Sequence, residues 1–192
     1  MDRAQGAIFG IDVSHWQGDI DWSKARQYDV AFVIMKVSQG RTMVDPRFRD
    51  YDRACGLPTG YYHFLGTGDA AGAVEEAEHF LRQLEGRPAP MGCWLDCEAA
   101  SLERWGRAAL TAAANAFLQR VEAAADRNGA RYRGGVYCNR NWARNFLDLK
   151  DPAWPASASG MPARCRPARR RRTPAVRRTC GSSRSATGCG AW

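Results

Sequence analysis

A chain of 192 residues, 45% hydrophobic and 25% charged, is long enough to bury the core of one globular domain. Its formal charge of +8 is unevenly placed: residues 1–151 hold 19 Lys+Arg against 20 Asp+Glu, while residues 152–192 hold nine Arg and no acid, so the body offers no basic patch for nucleic acid. No run approaches the ~20 apolar residues of a membrane span, residues 1–6 lack the pattern of a signal peptide, and neither a Gly-rich phosphate loop nor a zinc spacing is present, which excludes a nucleotide and implies no metal or cofactor.

Residues 8–13 read as a first strand and residues 31–37, nearly all apolar, as a second. Residues 60–64 form a third. Residues 69–84 have helical spacing, with Val74, Ala77, Phe80, Leu81 and Leu84 on one face. Residues 92–98 read as a fourth strand. An Ala-rich helix is expected over 101–127, with Ser101 as N-cap and Asn128-Gly129 as its stop. A fifth strand spans 134–138, and a shorter helix spans 141–147 before Pro152. Apolar strands alternating with helices indicate an α/β fold whose parallel sheet is covered on both faces. A β/α barrel and an open doubly wound sheet both fit. Acids at strand ends (Asp12, Asp96, Glu98) favour the barrel, where reacting groups gather at the C-terminal ends of several strands. Cys93, Cys97 and Cys138 fall in strands and are expected as buried free thiols.

The segment Trp94-Leu95-Asp96-Cys97-Glu98 carries the strongest chemical signal. Strand side chains alternate, so Asp96 and Glu98 share one face and Cys97 takes the other. Neighbouring carboxylates repel when both are ionised, which separates their pKa values and lets one act as an acid. Glycoside hydrolysis uses such a pair. A solvated strand end with two ordinary acids is the alternative.

The order of the motifs resembles the glycoside hydrolase family 25 lysozymes over residues 7–158. Gly10-Ile11-Asp12-Val13-Ser14-His15-Trp16-Gln17-Gly18 is similar to the family's opening, and Lys36-Val37-Ser38-Gln39-Gly40 to its second-strand loop, with Gln39 where Glu is frequent. Gly60-Tyr61-Tyr62-His63-Phe64, the Asp96-x-Glu98 strand and Gly135-Val136-Tyr137-Cys138-Asn139 resemble the third, fourth and fifth strands; Trp154-Pro155-Ala156-Ser157 resembles the sixth more weakly. The resemblance implies a TIM-like (β/α)5(β)3 barrel that cleaves the β-1,4 bond between N-acetylmuramic acid and N-acetylglucosamine in peptidoglycan. It implies Glu98 as the general acid, its proton retained with help from a charged Asp96. Asp96 would stabilise positive charge at the anomeric carbon or orient the 2-acetamido group, and Asp12 would complete the acidic site. Tyr62, Tyr137, Trp16 and Lys36 would contact the glycan strand, while His63 reads as a satisfied strand histidine. The expected protein is a monomer that works on the cell wall, outside the cell or released by host lysis, without a cofactor.

Beyond residue 158 the family pattern stops, and residues 159–192 form a basic low-complexity tail expected to be disordered. A shifted reading frame would account for it. Thr179-Cys180-Gly181-Ser182-Ser183 is encodable as ACN-TGT-GGC-AGT-TC, which one base over contains TGG-CAG-TTC, the Trp-Gln-Phe of the family's late strand. A barrel without its last strands would have open edges. The competing expectations are an inactive or glycan-binding remnant, and a tail that binds polyanions in a salt-dependent way.

Overall fold

The structure, a computed structural model, describes residues 8–155. The expectations for the tail, and for Ala156 and Ser157, lie outside the described residues. The described residues form six strands: β1 (Gly10–Val13), β2 (Phe32–Gln39), β3 (Met43–Val44), β4 (Thr59–Phe64), β5 (Cys93–Asp96) and β6 (Gly134–Tyr137). Five helices accompany them: α1 (Trp22–Gln27), α2 (Phe48–Ala54), α3 (Ala70–Leu84), α4 (Gly106–Glu122) and α5 (Arg140–Asn145). The fold is mixed α/β around a parallel sheet in the order β1-β2-β4-β5-β6, with β3 pairing antiparallel to the end of β2.

Each parallel strand lies beside the one before it. A doubly wound sheet reverses direction at a switch point, and the described strands never do. The described sheet has β1 and β6 at its edges. Alternation along β2 gives each side chain its place. Val33, Met35 and Val37 are fully buried under the helices, and Phe32, Ile34 and Lys36 face inward.

Helices α3 and α4 pack together over the outer face, where Phe80 and Phe117 flank His63, the latter stacked at 5.0 Å between ring centroids. His63 is completely buried. It meets Ser38 Oγ at 2.8 Å through Nδ1 and Glu76 Oε2 at 2.8 Å through Nε2, and the Gly66 N–H donates to the same Glu76 oxygen at 2.9 Å. Burial lowers the pKa of His63 against the opposing pull of Glu76, so a neutral ring donates to Glu76 and accepts from Ser38. His63 is thus a satisfied histidine at the sheet–helix boundary. Cys55, Cys93, Cys97 and Cys138 are buried free thiols.

Some expected boundaries move. In α3, Asp69 caps the helix through the Gly72 N–H, but Val74 faces solvent while Glu76 and His79 take inner positions. Polar partners inside the fold let those two replace an apolar residue. The expected helix over 101–127 is instead a 3-10 turn, Ala100–Trp105, followed by α4. Gly106 separates them with a φ of 76°, a conformation that suits glycine and interrupts the helical path. Ser101 therefore lies within the turn and caps no helix. Helix α4 ends at Glu122, and Asp126 draws Asn128-Gly129 into a separate turn by accepting from the N–H groups of Asn128 and Ala130. Helix α5 begins at Arg140 on an Asn139 cap. No described helix is long and apolar enough to cross a membrane.

Candidate active site

The inner face of the sheet borders a cavity of about 800 Å³. Its floor is apolar, with Phe32, Ile34, Trp94, Val136, Leu149 and Trp154. Its polar wall follows the C-terminal ends of the strands. Asp12 comes from β1, Lys36 from β2, Tyr62 from β4, Asp96 from β5 and Tyr137 from β6, with Glu98 just past β5 and Trp16 on the turn after β1. The structure brings all seven sequence-expected site residues to this one cavity.

Although β5 ends at Asp96, the Cys97 N–H still donates to the Tyr137 carbonyl at 2.8 Å. Strand alternation therefore persists for one more step. Cys97 is fully buried on the far side, and Glu98 shares the cavity face with Asp96. The two acids differ in environment. Asp96 is 9% exposed, and its Oδ1 is buried without a hydrogen-bond partner. Burial, then the charge of Glu98, pushes its pKa up to about 8; Lys36 opposes the rise and Asp12 adds to it. Glu98 is half-buried, and Asn139 Nδ2 donates to its Oε2 at 3.5 Å. The sequence suggests a charged Asp96 beside a protonated Glu98. Burial favours a proton on Asp96, which is the more deeply buried of the two acids.

Lys36 is buried, lies 5.0 Å from the centre of the Phe64 ring and donates from Nζ to Gln39 Oε1 at 2.7 Å. Burial lowers its pKa, while Asp45 and Asp96 pull the other way. The Tyr62 phenol is pushed up by burial, then by the charges of Asp96 and Asp12. Tyr137 is 44% exposed.

Trp16 is 81% exposed at the cavity rim, on a one-turn 3-10 segment, His15–Gln17, that is tied down on every side. Ser14 and Gln17 form a capping box, the Ser14 N–H donating to Gln17 Oε1 at 2.7 Å. The His15 N–H and ring Nδ1 both meet Asp45 Oδ2, at 3.1 and 2.7 Å. Tyr51 donates its hydroxyl hydrogen to the Gly18 carbonyl. Asp45 and Gln39 thus support site residues that the sequence singles out, and neither stands out in the sequence as a support. Asn139 is visible there only as the last residue of the fifth-strand motif. The assembled site can exchange a proton between paired acids and offers aromatic faces to a neutral polar ring.

Comparison with known proteins identifies the chain's relatives. The model of the family described as glycosyl hydrolases family 25 matches residues 11–166. Over 92 residues the chain is 35% identical to the autolytic lysozyme of Clostridium acetobutylicum, a match covering 46% of this chain and 28% of that relative. The chain therefore spans little more than a quarter of that protein's length. Among solved structures, a family 25 glycosyl hydrolase from Bacillus anthracis superposes with a TM-score of 0.67 at 19% identity, covering 80% of this chain and 70% of that one. The modular Cpl-1 endolysin, solved with a peptidoglycan analogue, superposes at 0.62 with 24% identity, covering 77% of this chain and 41% of that one.

Proposed function

The chain belongs to glycosyl hydrolase family 25, and from that premise we propose that it is a lysozyme hydrolysing the β-1,4 bond between N-acetylmuramic acid and N-acetylglucosamine in peptidoglycan. The observation that carries this reading is the Asp96–Glu98 pair on one wall of a cavity rimmed by Trp16, Tyr62 and Tyr137. The peptidoglycan analogue held by the Cpl-1 endolysin supports the same substrate class.

Two adjacent carboxyl groups share a proton because ionising both together is costly. Burial favours that proton on Asp96. With a glycan bound, the shared proton passes from Asp96 to Glu98, which gives it to the oxygen leaving the anomeric carbon and leaves Asp96 ionised. Asp96 then either stabilises the positive charge that develops there or accepts from the 2-acetamido N–H and directs that group to attack. Asp12 adds negative potential, and Lys36 contacts the glycan. Trp16, Tyr62 and Tyr137 present ring faces and hydroxyls to the sugars. The scaffold proposed is the (β/α)5(β)3 barrel over residues 7–158, acting as a monomer on the cell wall.

Release of reducing ends from purified peptidoglycan tests the reading. Glu98→Gln removes the proton donor at nearly constant volume, and the expected loss is about 100-fold or more. Equal release by the native chain and the variant would overturn the assignment of Glu98. Glycan binding without release by either protein would identify a binding remnant.

A further inference from the structure

We propose that Asn139 is the positioning residue for Glu98, holding Oε2 and leaving Oε1 as the oxygen that carries the transferable proton. The proposal rests on the reading of Glu98 as the acid and adds the device that orients it.

Its basis is the junction of β6 and α5. The ladder between β5 and β6 pairs Asp96 with Tyr137, and the Cys97 N–H extends it to the Tyr137 carbonyl. Glu98 and Asn139 therefore leave neighbouring strand ends side by side. Asn139 caps α5, its Oδ1 accepting from the Trp142 N–H at 3.0 Å. A backbone N–H can only donate, so the amide oxygen must face the helix and the NH2 must face outward. That NH2 reaches Glu98 Oε2 at 3.5 Å. Trp142 is 1% exposed and packs on Phe146, so the anchor of this amide lies in the core. A second amide repeats the reach: Asn141 Nδ2 donates to Glu103 Oε1 at 3.4 Å, tying the first turn of α5 to the segment after β5.

A donor-only neighbour fixes the chemistry of the oxygen it touches. The amide favours Oε2 as the carbonyl oxygen, the better acceptor, and so favours a proton of Glu98 on Oε1. The titratable groups around Glu98 are Asp96 on its own strand, Asp12 from β1, Lys36 from β2, Tyr62 from β4 and Tyr137 from β6. Asn139 adds a neutral dipole to this set.

Carbon-detected NMR titration of the Glu98 carboxyl, assigned with Glu98→Gln, tests the proposal without requiring turnover. Asn139→Asp keeps an oxygen cap for Trp142 but turns a negative oxygen toward Glu98. Asn139→Ser keeps a cap and removes the long donor. The expected midpoints rise from native to Asn139→Ser to Asn139→Asp, the last by about one pH unit. In the native chain the side-chain amide protons of Asn139 should shift with the Glu98 midpoint, a readout that needs neither variant to fold. Amide signals that stay fixed through that titration, or one midpoint shared by native chain and folded variants, would overturn the proposal. A Glu98→Gln variant with undiminished release of reducing ends would instead remove Glu98 as the acid, and the titration would still report whether Asn139 governs it.

Discussion

Asp96 sets the pH response of the folded molecule. Its pKa is pushed up to about 8 in the fold, against 3.8 for an ordinary aspartate. Between those values the folded chain binds a proton that the unfolded chain releases, so stability falls as pH rises. The contribution is complete below about pH 4 and is lost as pH climbs through about 8, and each unit of difference is worth about 1.4 kcal/mol. His63 acts in the opposite sense. It is held neutral by burial, and it costs stability below its ordinary value of 6.5. Comparison with Asp96→Asn separates the two. The native melting temperature should fall relative to that variant from about pH 5 to pH 8, by several degrees in calorimetry. Curves that stay parallel across the range would contradict the assignment.

At the level of the elements, β4 runs so close to its neighbours that one position admits no side chain. A Cβ on Gly60 would stand 2.8 Å from the carbonyl oxygens of Met91 and Gly92 and 2.6 Å from Ile34 Cδ1. Gly60→Ala should therefore cost about 1–3 kcal/mol in urea unfolding, since backbone on one side cannot yield. A variant with native stability would show that β4 and β5 can separate. The strand that the sequence reveals best is β2, because the run from Phe32 to Val37 is apolar but for Lys36. Helices α1 and α2, with six and seven residues, are too short to show a period and went unread. The Ala-rich stretch favours helix throughout, so the break at Gly106 depends on a backbone angle that periodicity does not encode. The site divides in the same way. Asp12, Asp96 and Glu98 sit inside strand motifs and are legible from alternation. Asn139 acts on Glu98 across 41 residues and Asp45 on His15 across 30, and only the folded chain makes those neighbours. The burial that raises the pKa of Asp96 likewise arises from tertiary packing.

For the molecule as a whole, the described sheet leaves β1 and β6 as edges, with an apolar floor between them. Ile8, just before β1, is 76% exposed. Edges left open among the described residues, beside apolar surface, favour association between copies. Light scattering of the native chain should rise with concentration, and Ile8→Lys should lower it by placing a charge beside the β1 edge. Scattering that is independent of both concentration and the substitution would show the edge to be covered. The unreversed strand order has a kinetic consequence as well. Each parallel strand pairs with the parallel strand made before it, so every docking step closes a loop of a few dozen residues at most, and the entropy lost in closure stays small. During synthesis, the N-terminal units can associate before later ones leave the ribosome. In that order Glu98 and Asn139 come together late among the described residues, when β6 and α5 settle against β5.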